Sequence, residues 1–332
     1  MNRRDALLTL LALGATPNAA RAQRAGRTVR VALVFGTSPV AVMAGSEPAH
    51  PFARAFLHEL RDRGYVEGKN FIFERRSVEG YAERGPVIMA ELVRLKTDVI
   101  VAPINALIQD AKRATNTIPI VMVYCKSPVE EGIVASLARP GGNVTGLTLD
   151  TGPEMEGKRL EMLKMALPHV SRVAFLGTSA DWASNFGQRM RAAAPVLGLT
   201  LFLAEHGHND YSGAFRAIAS TRTDAVIASV TPHHLTHRRL IAEFALKNKL
   251  PTISHYSENM EAGGLLSYGA NIQDNYRRAA IYVDKILKGA RPADLPVEQP
   301  ASFEFVINIK TAKALGVKIA QAALLRADRV IE

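Results

Sequence analysis

Features that commonly stabilise or anchor a protein are scarce in this chain of 332 residues. Cys125 is the only cysteine, so no internal disulfide can form and stability must come from burial of a core. Aromatic residues make up only 6% of the chain, and Trp182 is its single tryptophan. Beyond the first residues, every stretch long enough to span a membrane contains charges, so we expect a soluble mature product. Its length suffices for two domains.

Acidic residues are also outnumbered, and the formal net charge is +10. The basic residues occur in scattered pairs, for example at 75–76, 238–239 and 277–278, without a block of like charge or interleaved aromatic residues. This pattern indicates a solvated basic surface rather than a nucleic-acid interface. We therefore predict no nucleic-acid partner.

Residues 1–22 have the three-part layout of an export signal. Arg3 and Arg4 give a positive start, residues 6–14 form a short apolar core, and a small-x-small cleavage site ends at Ala22. The arginine pair leaves both the twin-arginine and the general secretion routes open. Because Gln23, rather than an anchoring cysteine, follows the site, we predict a periplasmic protein cleaved near Ala22-Gln23 and not attached to lipid.

The body of the chain alternates between two kinds of apolar pattern. Strand-like runs occupy residues 29–35, 70–75, 99–102 and 118–123, and helical spacing occurs at 52–60, 87–95 and 104–115. The alternation starts again with strand-like runs at 173–176, 199–203, 225–228 and 251–253, and helices at 185–197, 211–219 and 235–248. Such alternation predicts parallel sheets covered by helices on both faces.

Two doubly wound α/β lobes of similar, Rossmann-like architecture are the simplest account of this repetition. Later strand-like runs at 265–269 and 303–307 flank a helix at 276–287, so we expect the chain to cross between the lobes more than once, through a hinge. The predicted N-terminal lobe comprises residues 27–147 plus 272–303. The predicted C-terminal lobe comprises residues 148–271 plus 304–332.

The turns that follow the strands are the predicted site, because open parallel sheets bind ligands beyond the carboxyl ends of their strands. Two such sheets facing each other form a cleft that can close on a small molecule. Hydroxyl, amide, aromatic and carboxylate groups predominate there. The candidate ligand-binding residues are Thr37, Ser38, Ile104, Asn105, Tyr124, Ser127, Thr145, Ser179, Asp181, Trp182, Thr231, Tyr256 and Glu258.

Motifs for chemistry are weak. The glycine-rich segment 139–146 lacks the ending of a phosphate loop and the spacing of a dinucleotide fingerprint. A catalytic Cys125 would need a histidine base that the sequence does not place. Ser179, Ser184 and Ser229 lack the nucleophile elbow of the α/β hydrolases. We therefore predict no cofactor and no enzymatic activity.

Five histidines raise the question of a metal site. They are His206, His208, His233, His234 and His237. No carboxylate completes a His-Glu-x-x-His arrangement around them, although His233 and His237 would share one helix face. Surface histidines are favoured, and we predict no metal.

Several long motifs resemble the ABC-transporter substrate-binding protein family that includes the tryptophan/tyrosine-type uptake binders. They are residues 128–146 (PVEEGIVASLARPGGNVTG), 158–164 (KRLEMLK), 261–269 (EAGGLLSYG), 282–290 (YVDKILKGA) and 303–308 (FEFVIN). The resemblance implies a type I periplasmic-binding fold, a small-molecule ligand held between two lobes, and an ABC permease as partner. The expected state is a monomer.

One departure from the family pattern concerns the ligand. Family members usually carry an aspartate before the Pro-Val pair, where this chain has Ser127. If that aspartate meets a ligand ammonium group, its loss shifts the preference toward neutral or anionic ligands, because an uncompensated buried cation is costly. Aromatic residues in the predicted cleft favour a planar, aromatic or carboxylate-bearing ligand.

Two other functions stay open on sequence grounds. A ligand-binding sensor that docks on a membrane receptor would present the same closed cleft. A secreted α/β hydrolase would use Cys125 or one of the serines.

Overall fold

The computed structural model describes residues 28–149, 154–207, 209–300 and 303–332, so the predicted export signal and His208 lie outside the described residues. Within these ranges the chain forms twelve strands, numbered in chain order. They are β1 (Val29–Phe35), β2 (Phe71–Ser77), β3 (Val99–Ala102), β4 (Ile120–Cys125), β5 (Val144–Thr148), β6 (Arg172–Gly177), β7 (Thr200–Glu205), β8 (Ala225–Ala228), β9 (Thr252–Ser254), β10 (Leu266–Ala270), β11 (Phe303–Asn308) and β12 (Arg329–Ile331).

The α-helices alternate with these strands for most of the chain. They are α1 (Pro51–Asp62), α2 (Arg84–Arg94), α3 (Asn105–Ala114), α4 (Glu154–Ala166), α5 (Ser179–Ala183), α6 (Asn185–Ala193), α7 (Ser212–Ser220), α8 (Pro232–Thr236), α9 (Arg238–Lys247), α10 (Ile272–Leu287), α11 (Ile309–Leu315) and α12 (Gln321–Arg326). Within the described ranges, none of these helices has the length and apolar character needed to cross a membrane.

The first sheet is parallel and has the strand order β2-β1-β3-β4-β5. Residues of β1 alternate between its two faces: Val31 and Leu33 pack into one apolar cluster, and Ala32 packs into another. Helices α1 and α10 cover the first of these faces, while α2 and α3 cover the second. The prediction of a parallel sheet with both faces buried is confirmed for this lobe.

The second sheet has seven strands in the order β12-β11-β10-β9-β8-β6-β7. Strands β6 to β10 are mutually parallel, but β10 and β11 are antiparallel. The chain returns from the first lobe at the cleft side, so β11 enters the sheet from the end where β10 leaves it. The prediction of purely parallel sheets is therefore wrong at β11 and β12, and the two lobes differ in strand number.

Helix α10 belongs to the first lobe although it follows β10 of the second sheet. Its Tyr276 and Val283 lie in the same buried cluster as Phe56 of α1. After α10, residue Glu298 pairs with Leu147 at the edge of the first sheet before the chain returns to β11. The chain therefore passes between the lobes three times, after β5, β10 and Glu298; the domain boundaries given above stay a prediction.

Most predicted elements lie within a few residues of the observed ones, with local differences at helix ends. The predicted helix 235–248 is two helices, α8 and α9, because Pro232 starts the first and His237 separates them. The predicted turn that contains Trp182 is the short helix α5, whose N-cap residue Thr178 forms a capping box with Asp181.

Candidate functional site

A cavity of about 400 Å³ lies between the two sheets, at the carboxyl ends of their parallel strands. That volume is in the range of small-molecule sites. First-lobe residues Asn105, Lys126, Ser127, Glu131 and Leu149 form one wall. The other wall is formed by Arg159, Asp181, Ala183, Ser184, Asn185, Phe186, Arg189, Val230, His255, Tyr268, Gly269 and Phe303.

The first-lobe wall is fixed by two residues that follow neighbouring strands. The side chain of Asn105, at the start of α3, donates to the Lys126 carbonyl at 2.7 Å and accepts from the Lys126 amide at 2.9 Å. Ser127 comes next with φ of 45°, a left-handed conformation that turns the chain sharply after β4. The Lys126 ammonium donates to the Val230 carbonyl of the second lobe at 2.9 Å. The structure therefore has the two lobes in contact at this site, with the cleft closed.

Asp181 is the buried carboxylate of the opposite wall. Its Oδ2 accepts from the Thr178 amide at 3.0 Å, the Thr178 hydroxyl at 2.9 Å and the Ser229 hydroxyl at 3.1 Å. Burial on its own would raise the pKa of this carboxyl, but these hydrogen bonds and the charge of Lys126 hold the pKa below its usual value. Asp181 is thus a charged structural group with one oxygen already occupied.

Positive groups surround the aromatic side chain of Phe186. The Arg159 guanidinium lies 5.2 Å from the ring centroid, and the Lys126 ammonium lies 5.3 Å from it. Cations within about 6 Å of an aromatic ring are attracted by its quadrupole. Arg189, one turn along α6 from Phe186, also lines the cavity and makes no ion pair with any described residue. The cavity therefore combines an aromatic surface with a cationic one.

His255 is a buried polar side chain at the second-lobe wall of the cavity. It is 6% exposed, and neither Nδ1 nor Nε2 has a hydrogen-bond partner in the described parts of the chain. Burial, followed by the charges of Arg159 and Lys126, lowers its pKa well below the usual value, so the imidazole is neutral at physiological pH. A neutral imidazole offers one donor and one acceptor.

Gly269 makes room for that imidazole. A Cβ at this position would lie 2.4 Å from the His255 carbonyl oxygen and 2.6 Å from its Nδ1. Glycine in β10 is therefore what allows the neighbouring β9 segment to place His255 against the cavity.

The structure brings three of the predicted ligand-binding residues to the cavity, namely Asn105, Ser127 and Asp181. The others do not line it. Thr37 lies at the cleft edge, with its Oγ1 2.8 Å from Thr236 Oγ1 of the other lobe. Trp182 packs on Phe175 with ring centroids 5.3 Å apart.

Polar candidates outside the cavity have local structural partners. Ser38 is 3.1 Å from Nε2 of His50, and the Ser179 amide donates to Glu205 at 3.0 Å. The hydroxyls of Thr145 and Thr231 bind the backbone. Thr145 Oγ1 donates to the Leu295 carbonyl at 2.7 Å, and Thr231 Oγ1 accepts from the His233 amide at 3.4 Å.

Two further candidates outside the cavity are Ile104 and Glu258. Ile104 packs against both first-lobe clusters. Burial raises the pKa of Glu258 in the turn after Tyr256.

Tyr124 and Tyr256 belong to what we call the inter-lobe aromatic cluster, formed by Phe35, Tyr124, Tyr256 and Tyr276. Tyr276 stacks on Phe35 at 5.6 Å and lies 6.2 Å from Tyr124. Tyr256, which follows β9 of the second sheet, is buried in the same apolar cluster as these first-lobe rings. Burial raises the pKa of Tyr256 well above its usual value, so its hydroxyl stays protonated. The two lobes thus share a packed aromatic contact beside the cavity.

The prediction did not include Lys126, Arg159, Phe186, Arg189, His255 or Tyr268. Lys126 and His255 stand in turns that the strand-end rule selects, although the candidate list names other residues of those turns. Arg159 and Phe186 lie on helices and have no comparable signal in the sequence.

The expectation of surface histidines is wrong for His206 and His234, which are buried. The predicted pair His233 and His237 shares no continuous helix, because α8 ends before His237. The Nδ1 of His237 lies 3.0 Å from the carbonyl oxygen of His233. Across the part of the chain that the structure describes, no group of three or more His, Cys, Asp or Glu side chains could hold a metal ion.

Comparisons with known proteins give a consistent result. A family model described as "ABC transporter substrate binding protein" matches residues 40–331. The "Tyrosine-binding protein" of Clostridioides difficile is 27% identical over 278 residues, which cover 80% of this chain and 76% of that protein.

Two solved structures extend the similarity to the fold. A conserved domain protein from Vibrio cholerae is 27% identical, with a TM-score of 0.80 over 92% of this chain and 100% of that one. An ABC domain from Streptococcus pneumoniae in complex with L-Trp is 24% identical, with a TM-score of 0.76 over 91% of this chain and 100% of that one. The two-lobed architecture is therefore shared with solved proteins, one of which holds an aromatic amino acid.

Proposed function

We propose that this chain, which belongs to the ABC transporter substrate binding protein family, closes its lobes on a small organic ligand and delivers that ligand to a membrane permease. Its architecture is the type I periplasmic-binding fold. Proteins of this family are ligand-binding components of transporters and work outside the cytoplasmic membrane. The sensor and hydrolase alternatives gain no support from the family or from the similar structures.

The observation that carries the proposal is the cavity of about 400 Å³ whose walls come from both lobes. A molecule held there touches both walls at once, so it binds the closed form more tightly than the open form and shifts the population toward closure. Lys126 shows this geometry directly, since it lines the cavity and also donates to the Val230 carbonyl across the cleft.

The lining favours a ligand with an aromatic ring, a carboxylate or both. Phe186 and Tyr268 offer ring faces, while Lys126, Arg159 and Arg189 offer positive charge. The relatives whose titles name tyrosine and L-Trp support an aromatic ligand. We further propose that the protein acts in the periplasm as a monomer after cleavage near Ala22-Gln23.

Thermal unfolding in the presence of a metabolite panel tests ligand capture. A ligand present at about 100 times its Kd stabilises the folded protein by about 2.7 kcal/mol, which gives a clear rise in Tm. Mass spectrometry of small molecules released from the purified, denatured protein supplies an independent measure. A wide panel without any rise in Tm, together with no released molecule, would contradict capture.

Two arginines on α6 provide a matched control. Arg189 lines the cavity, whereas the guanidinium of Arg191 lies 4.7 Å from the Trp182 ring. We expect Arg189→Gln to weaken binding of a carboxylate identified by the panel, because it removes a charge facing the ligand, and Arg191→Gln to leave that binding unchanged. Equal effects of both substitutions would contradict the placement of the ligand.

A further inference from the structure

Three polar groups from two lobes converge on one part of the cavity. Lys126 comes from the first lobe, and Arg159 and His255 come from the second. The charges of Arg159 and Lys126 both act on His255, and both cations flank the ring of Phe186. This convergence exists only when the lobes are closed, because Lys126 reaches it across the cleft.

The imidazole of His255 points to a ligand at this place. Both of its nitrogens are buried without a hydrogen-bond partner among the residues described. A buried polar group without a hydrogen-bond partner is destabilising, so the arrangement is unfavourable until a partner arrives. Gly269 preserves the arrangement, since any side chain there would overlap the imidazole.

The charges of the lining decide which ligand group fits. Lys126, Arg159 and Arg189 are positive, whereas Glu131 and Asp181 are negative. One oxygen of Asp181 already accepts three hydrogen bonds. Ser127 lines the opposite, first-lobe wall with a neutral hydroxyl. A ligand carboxylate would complete this set, while a ligand ammonium group would be desolvated beside cations.

We propose that the ligand is an aromatic organic acid without an ammonium group, whose carboxylate contacts Lys126, Arg159 and His255 and whose ring lies against Phe186. The inference rests on the proposed function and narrows its substrate class. It assigns to His255 the role of a neutral hydrogen-bond donor to the carboxylate, between two cations that balance the ligand charge.

Three compounds that share an indole ring and a two-carbon linker to the charged group test the charge preference. Indole-3-propionate carries only the carboxylate, tryptamine carries only the ammonium group, and L-tryptophan carries both. We measure their Kd values by isothermal titration calorimetry with the full mature protein. Indole-3-propionate is expected to bind at least tenfold more tightly than L-tryptophan, and tryptamine is expected to bind most weakly.

Each other outcome overturns the inference. Tighter binding of L-tryptophan or tryptamine contradicts the charge argument, although ligand capture then stands. Failure of all three to bind also contradicts it, and the proposed function is then judged separately by the broad panel and by the molecules released on denaturation. An amine-bearing zwitterion among those released molecules would likewise overturn the inference.

Ser127 allows the preference to be reversed. Aspartate and asparagine both tolerate the left-handed backbone at this position, and they differ only in charge. Ser127→Asp is expected to reduce the preference for indole-3-propionate over L-tryptophan by about tenfold, whereas Ser127→Asn, which adds similar bulk without the charge, is expected to reduce it by no more than about threefold. The same change in both variants would mean that charge at this wall does not select the ligand.

His255 is tested in the same titrations. His255→Leu is expected to weaken binding of indole-3-propionate by at least tenfold, because the donor is lost, and His255→Gln is expected to retain most of the affinity. Thermal unfolding without ligand shows whether each variant is folded. Unchanged affinity in a folded His255→Leu variant would contradict the assigned role.

Discussion

Two regions lie side by side between the lobes, and they differ in content. The cavity is lined by charged groups such as Lys126 and Arg159 and is large enough for a ligand. The inter-lobe aromatic cluster is filled by side chains, with Tyr256 of the second lobe buried among first-lobe rings. One region is the proposed ligand site, and the other supplies dry packing when the lobes meet.

This difference separates specificity from closure. Apolar burial in the inter-lobe aromatic cluster favours closure whatever the ligand is, because burial depends on area and not on direction. Charged groups in the cavity orient the ligand and select among ligands, because each buried charge needs a partner of opposite sign. Substitutions in the cluster should therefore change stability and closure, whereas substitutions in the cavity should change ligand choice.

The largest expected contrast compares Tyr276→Ala with Arg189→Gln. Tyr276 is fully buried, and its ring lies 5.1 Å from Phe52, so its truncation should lower the free energy of unfolding by about 3–5 kcal/mol. Arg189→Gln should change that free energy by no more than about 0.5 kcal/mol. Urea denaturation measures both, and losses of similar size would break the distinction between the regions.

The second prediction concerns acid at the rim of the aromatic cluster. His50 is 8% exposed, 4.5 Å from the Phe35 ring, and its pKa is lowered to about 4 by burial and by the charge of Arg238. Its unfolded pKa is about 6.5, so the stability it contributes is fully present above that pH and is lost as the pH falls toward 4. The loss amounts to up to about 3 kcal/mol.

The variant His50→Gln should remove this part of the acid sensitivity, since glutamine does not titrate and can still bond to Ser38. Urea denaturation between pH 7 and 4 gives the measurement. The exposed His169→Gln serves as the control and should keep the slope of the parent protein. If the free energy of unfolding of His50→Gln falls with pH as steeply as that of the parent protein, His50 is not the source of this acid sensitivity.

At the cavity wall, Gly269→Ala should be moderately destabilising. The new Cβ would overlap His255, and overpacking of this kind costs about 1–3 kcal/mol. Binding should be lost as well, since the imidazole must move. Gly142→Ala is the control, because no atom lies within 4 Å of a Cβ there. If a folded Gly269→Ala variant binds ligand normally, His255 does not contribute to ligand binding.

The smallest effect is expected at the cleft edge. The hydroxyls of Thr37 and Thr236 lie 2.8 Å apart across the lobes, and one such hydrogen bond contributes about 0.5–1.5 kcal/mol. Thr37→Ala should therefore speed ligand dissociation by up to about tenfold, as measured by stopped-flow fluorescence of Trp182. Thr236→Ala should do the same, and the double variant should add nothing further. Additive effects would show that the two hydroxyls do not act on each other.

The sequence was sufficient for the architecture because local patterns determine it. The run Ala225–Ala228 is a strand in both the prediction and the structure, since four apolar residues between turns are too few for a typical helix and fit a buried strand. The direction of β11 could not be predicted, because it depends on where the chain returns after α10. The spacing of apolar residues predicts strands and helices but not the path of the chain between α10 and β11.

The site was harder to predict, and Asp181 and Trp182 show why. Both stand in the segment after β6, but this segment is a helical turn in which consecutive side chains point in different directions. Asp181 therefore lines the cavity while Trp182 packs on Phe175. Tyr124 is the second-last residue of β4 and not part of the turn after it, whereas Tyr256 does follow β9. Only tertiary packing places both rings in the aromatic cluster rather than in the cavity.

The position of α10 has a consequence for the order of folding. The hydroxyl of Tyr65, just after α1, donates to Asp284 of α10 at 2.9 Å, across 219 residues of sequence. Contacts of such separation form slowly, because a long loop must close before they are made. The first lobe therefore cannot complete its core until α10 is available, and strands β6 to β10 of the second sheet precede α10 in the chain. The core of the first lobe is thus completed only when most of the second lobe is already present.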